Sequence, residues 1–263
     1  MDILTSQIES ALSLMLFIIS RISGVIISTP FIGTKILNAK TKVILALLLS
    51  WAIFPNVTNY SKIDLLTLEA ALTVISQIII GLALGITISI AFQIFIMVGE
   101  IVAMQMGLSM AVMTDPTSGY SVPVLSEIYY IMLILLFFTL DGHLHLITIA
   151  SKSFEVIPIG RNIFEVESFK QIAMLANWMY VNAFKIALPM ITALLIVQLC
   201  LGVMTKASPQ LNIFSIGFPI TMIIGIFFVF LNINSVSYHF VRIFDYATEW
   251  VTSEIYAMED IND

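Results

Sequence analysis

The stretch EAALTVISQIIIGLALGITISIAFQIFIMVGE, Glu69 to Glu100, holds about 30 residues between its two carboxylates, and none of them is charged. A second run, from Lys206 to Arg242, holds about 35 more without Asp, Glu, Lys or Arg. At about 1.5 Å per residue, helices over these runs would be roughly 45 and 50 Å long, against a hydrocarbon core of about 30 Å. A soluble domain could not hide such stretches from water. The chain therefore reads as membrane-embedded, with apolar segments that overshoot a bilayer and are broken by Gly, Pro and Asn.

Composition agrees. Of 263 residues, 59% are hydrophobic and 11% charged, where a soluble domain carries about a quarter charged residues. Backbone polar groups in lipid need partners within the segment, so spans are helices or closed barrels. Barrel strands alternate apolar and polar residues; these runs do not alternate, which predicts an all-α membrane protein. The net charge of −6 is weighted toward the C-terminal tail (Glu254, Glu259, Asp260, Asp263), which argues against a nucleic-acid face. Cys200 is the single cysteine, so an internal disulfide and a cysteine metal cage are excluded. The N-terminus opens on Asp2 and Glu9 and has no basic leader region, so the first apolar segment is expected to be retained.

Six hydrophobic segments are expected: about 11–29, 43–54, 65–113, 128–150, 172–203 and 211–240. The third is too long for one ordinary helix, and the second is short for a span. Pro219 should kink the sixth. Positive charge does not orient six simple crossings: Lys35, Lys40, Lys42 and Lys206 fall on one side, and Lys62, Lys152, Arg161, Lys170 and Arg242 on the other. Either the topology is not a zigzag or other subunits shield the chain from lipid; the overlong helices favour the second. Gly81 and Gly85 form a GxxxG pair that lets helix backbones approach closely, within the chain or between subunits.

Polar groups inside apolar helices are costly and mark candidates for function. Arg21, Glu100 and Lys185 are the intramembrane polar residues, each able to line a conduit or join an ion pair. Lys185 suits snorkelling to water, and Glu100 an interior or subunit-facing place. Asp141-Gly142-His143-Leu144-His145 has the residue types of a metal site. Its spacing is not that of the helical zinc motifs, and a helix interruption at Asp-Gly with satisfied imidazoles explains it more simply. The sequence contains no GxxxxGK[ST], GxGxxG or GxSxG pattern, so neither an enzyme nor a cofactor site is expected.

The most distinctive interior stretch is MQMGLSMAVMTDPTSGYSVPVLSE. Met104, Met106, Met110 and Met113 stud an apolar run that breaks at Asp115-Pro116 and continues through Gly119 and Tyr120 to Pro123. Methionine is flexible and fills irregular gaps. The stretch could form a deformable seal, or an ordinary turn with methionine as core filler. A second stretch, LCLGVMTKASPQLNIFSIGFPITMIIG, reads as a hairpin tip between two long helices at Lys206, Pro209, Gln210, Asn212 and Phe214. Pro209 suits a first helical turn.

These stretches resemble the FliR family of flagellar export-gate proteins, whose injectisome counterparts are the SctT-type subunits. The resemblance is carried by Arg21, Gly24, Pro30 and Gly33 in R-x-x-G-x-x-x-x-x-P-x-x-G, by GLALG at Gly81 to Gly85, and by GEIVAMQMGLSMAVMTDP. DGHLHLI, Pro189, Leu201-Gly202 and ASPQLNIFSIGFP continue it over nearly the whole chain. Lys206 stands where the family often has arginine, and Asn38 where proline is common; the lysine weighs against a role that needs a bidentate guanidinium.

The resemblance implies a core pore subunit of the type III export gate at the flagellar basal body in the bacterial inner membrane. Residues 1 to about 170 would be FliP-like in fold and about 171–263 a FliQ-like hairpin, all within one export-gate domain of long kinked helical hairpins. The implied partners are FliP and FliQ subunits, FlhB, FlhA, the basal-body ring and membrane lipids. Unfolded flagellar export substrates would be the cargo. The family uses a loop as a pore plug, which here corresponds to about Met106 to Val122, with Met106, Gly107, Met110, Met113, Asp115, Pro116, Gly119 and Tyr120 in it. The rival readings are a stand-alone small-molecule or ion transporter, whose discontinuous helices and midplane polar groups would look similar, and an intramembrane enzyme built on Asp141 and its neighbouring histidines.

Overall fold

The structure, a computed structural model, describes residues 2–33, 37–57, 63, 67–108, 123–160, 166–207 and 213–260. Among them are seven α-helices: α1 (Asp2–Ser28), α2 (Ala39–Ile53), α3 (Leu68–Met106), α4 (Val124–Thr139), α5 (Gly142–Val156), α6 (Val166–Ala207) and α7 (Ile213–Asp260). This is an all-α membrane protein. Four helices contain apolar stretches long enough to cross a membrane, within α1, α3, α6 and α7, and the α4–α5 pair supplies a fifth if its two bent halves count as one span. The segment around α2 falls short. Its 15 residues reach about 22 Å, below the roughly 20 residues that a span needs.

Within the third apolar segment, α3 runs unbroken for 39 residues and ends at Met106, short of the expected boundary near 113. It contains no proline. Its glycines lie at close approaches to neighbouring backbone, so packing offsets their poor helix propensity. α6 and α7 run to 42 and 48 residues and continue through Pro189 and Pro219. The fourth segment breaks as Asp-Gly predicts. Asp141 takes a left-handed conformation at φ 54, its carbonyl receives Leu144 N and His145 N, and α4 and α5 meet at 70°. Gly142 fits beneath the Phe137 ring, where a Cβ would lie 2.5 Å from Cε2.

The chain divides into two compact units, 1–90 with 137–175 and 244–263, and 91–136 with 176–243. In the first, Phe17, Ile18, Ile22 and Val25 of α1 are buried. Phe137 collects Phe31, Phe138 and Phe244 with ring centroids 5.2, 5.8 and 5.6 Å away. Gly24 and Gly81 bring α1 and α3 together: a Cβ on Gly24 would stand 2.5 Å from Ile78 O and 2.9 Å from Leu82 N. Gly85 packs on Val25 and Ser28, and Ser89 Oγ donates to Ser28 O. The GxxxG pair therefore serves a crossing inside the chain.

In the second unit, Phe240 of α7 packs edge-on against Phe92 and Phe95 of α3 at 5.5 and 5.9 Å. Gly99 meets Ser126 of α4, where a Cβ would stand 2.7 Å from Ser126 Cα.

Candidate functional site

Arg21 has no solvent exposure. Every partner of its guanidinium is a neutral oxygen. Nε donates to Gln77 Oε1 of α3 at 2.8 Å. Nη1 donates to Ser153 O at 2.7 Å and Ser153 Oγ at 3.1 Å, and Nη2 to Ile157 O at 2.8 Å. Its Cζ lies 4.0 Å above the Phe154 ring. Ser153 and Ile157 stand at the C-terminal end of α5, where free carbonyls give a helix about half a negative charge. The cation is thus solvated by a helix terminus and neither snorkels to solvent nor lines an open path. α1, α3 and α5 are joined through one side chain.

Gln77, Ser153 and Phe154 were not singled out by sequence reading. One signal was available: Gln77 lies one helical turn before Gly81, so it shares the face that Gly81 turns toward α1.

The other intramembrane polar residues are placed differently. Glu100 is half-buried on α3, beside the Gly99 contact, and has no bonded partner among the described residues. Lys185 is exposed on α6, as snorkelling would require. Lys206 is exposed in the last turn of α6, where a cation complements the helix dipole. Pro209, Gln210 and Asn212 lie outside the described residues, as does the side chain of Phe214 in α7.

At Asp141 to His145 the interruption is present, but the imidazoles are not both satisfied. His143 Nδ1 is buried without a hydrogen-bond partner among the described residues, and its ring rests 5.5 Å from Phe138. Asp141 is the N-cap residue of α5. Among the described residues no three His, Cys, Asp or Glu side chains gather closely enough to hold a metal.

Of the Met-rich stretch, Met106 and Gly107 are described; Met110, Met113, Asp115, Pro116, Gly119 and Tyr120 lie outside. Met106 is buried at 1% exposure. A Cβ placed on Gly225 of α7 would fall 2.5 to 2.7 Å from its Cγ, Sδ and Cε. Gly107 takes φ 84 and closes against the Phe218 ring. Met104, two residues before Met106, is 56% exposed, so these two methionines do not share one face.

α6 and α7 are otherwise thinly covered. Only 17% of their most apolar windows is buried, against 56% for α1 and α3. Phe184, Leu188, Leu199, Val203, Ile223 and Phe230 all stand outward. An apolar surface on that scale is made for lipid or for other protein helices.

Fold and site together define a helical membrane protein in which the buried Arg21 side chain holds three helices together. Residues 12–247 match the family model described as bacterial export proteins, family 1. The chain belongs to that family. It is 34% identical to the flagellar biosynthetic protein FliR of Escherichia coli over 86% of each chain. To the FliR of Aquifex aeolicus it is 28% identical over 94% of this chain and 97% of the relative. The surface presentation of antigens protein SpaR of Shigella flexneri is 26% identical over 64% of this chain and 65% of its own.

Proposed function

We propose that this membrane-embedded export protein is a core pore subunit of the flagellar type III export gate, helping to form and close the conduit for unfolded flagellar substrates. The observation that carries the reading is the pair α6 and α7. Their apolar stretches of 35 and 34 residues extend about 50 Å, well beyond a hydrocarbon core of about 30 Å. Lipid alone cannot cover such surfaces, so the remainder is suited to neighbouring subunits. FliP and FliQ subunits and FlhB are the neighbours that the family supplies, with FlhA and the basal-body ring beside them in the bacterial inner membrane. A FliP-like part over 1–170 and a FliQ-like hairpin over 171–263 fit this assembly. The chain carries no nucleotide fingerprint, so the energy for export comes from other components.

Two measurements test the reading. Tagged protein extracted in mild detergent should weigh, as an intact complex, several times the 29.2 kDa of the chain. A monodisperse monomer surrounded by lipid would overturn the assignment.

The Met-rich stretch from Met106 to Val122 is the plug in this proposal. Deleting residues 109–122 leaves Met106 and Gly107 in place and should raise ion leakage through the complex several-fold. Unchanged conductance would remove the plug role and leave the subunit role standing.

A further inference from the structure

A helix leaves its last four carbonyls without intrahelical donors. At the C-terminus of α3 three are met, and the fourth has a hydroxyl within reach. Ala103 O accepts from Leu108 N at 2.9 Å and Met104 O from Gly107 N at 3.0 Å. These are the paired bonds of a Schellman turn, with a left-handed glycine where that turn needs one. The other two carbonyls meet side chains of different helices. Gln198 Nε2 of α6 donates to Gln105 O at 2.8 Å, and Gln105 Nε2 donates in return to Gln198 Oε1 at 3.2 Å. Thr221 Oγ1 of α7 stands 3.2 Å from Met106 O, and its one proton is shared with Gly217 O at 3.1 Å and Phe218 O at 3.0 Å.

Packing converges on the same turn. The Met106 side chain occupies the notch that Gly225 leaves in α7, and Gly107 rests on Phe218. Any side chain at 225 would displace the methionine. Two helices thus grip one turn, α6 through an amide and α7 through a missing Cβ.

We infer that Gln198 and Gly225 are positioning residues that seat the last turn of α3, with Met106 as the fixed knob. They hold the point from which the Met-rich stretch leaves the helix. Met106 and Gly107 belong to the anchor. The consequence for closure rests on the plug reading above.

The test uses the whole complex in mild detergent and in liposomes. Gln198 is exposed and leucine is close to it in size, so Gln198→Leu removes the amide bonds and leaves the packing. Amide hydrogen exchange at Gly107 and Leu108 should then quicken about tenfold, and ion leak should rise several-fold. Gly225→Ala should have the same two effects by pushing on Met106. Adding Met106→Ala to that variant should bring both readouts back toward wild type, since neighbours in direct contact are non-additive. Native exchange rates in Gln198→Leu and Gly225→Ala overturn the inference. Faster exchange with native leak upholds the seat and overturns the plug reading.

Discussion

Replacing Arg21 by lysine should harm the protein about as much as replacing it by methionine. Were Arg21 simply a charge in search of a carboxylate, lysine would serve. Its partners are instead Gln77 Oε1, Ser153 O, Ser153 Oγ and Ile157 O, which lie on different sides of a planar fork. An ammonium is a compact point charge with a stronger hydration shell and cannot reach both ends of that arrangement. Lysine would bury a cation short of partners, and methionine would take the donors away from Gln77 Oε1 and Ile157 O. A buried polar group left unpaired costs about 1–3 kcal/mol, more for a charge, so each variant should lose roughly 3 kcal/mol or more. Thermal unfolding of the purified complex, followed by tryptophan fluorescence, measures this. A lysine variant that melts with the wild type would refute the clamp.

Gly81→Leu should separate α1 from α3 and abolish accumulation of folded protein. A Cβ at Gly81 lands on Arg21 O and stands 3.0 Å from Val25 N. These are backbone atoms in a helix, so relief requires moving the helix. Overpacking a tight core typically costs about 1–3 kcal/mol, occasionally more, and here the same shift would pull Arg21 from Gln77. Gly24→Leu should behave alike. Gly202 is the control: nothing lies within 4 Å of a Cβ there, and Gly202→Ala should raise helix stability by about 1 kcal/mol. Equal detergent-stable yields of Gly81→Leu and Gly202→Ala would contradict the close crossing.

Much of this was legible in the chain itself. Uncharged runs longer than a bilayer require helices, Asp141-Gly142 predicts a break, and GxxxG predicts a close crossing; each depends on local chemistry alone. What the sequence hid was pairing across distance. Arg21 and Ser153 are separated by 132 residues, and no local pattern announces that a serine near the end of one helix will receive a guanidinium from another. Gln198 and Gly225 were hidden for the same reason, since each matters only through a turn some 90 residues or more away. Counting residues also does not place the end of α3, since nothing from Leu68 to Met106 interrupts the hydrogen-bond ladder. The αL geometry at Gly107 stops it with a cap.

On the assembly proposed above, the outward apolar side chains of α6 and α7 carry a cost of their own. A copy made in excess of its neighbours would be an orphan with greasy flanks bare, sticky toward other orphans and a ready target for proteolysis. In that proposed assembly, supply of this polypeptide has to keep step with its neighbours, and its lifetime alone in the cell should be short.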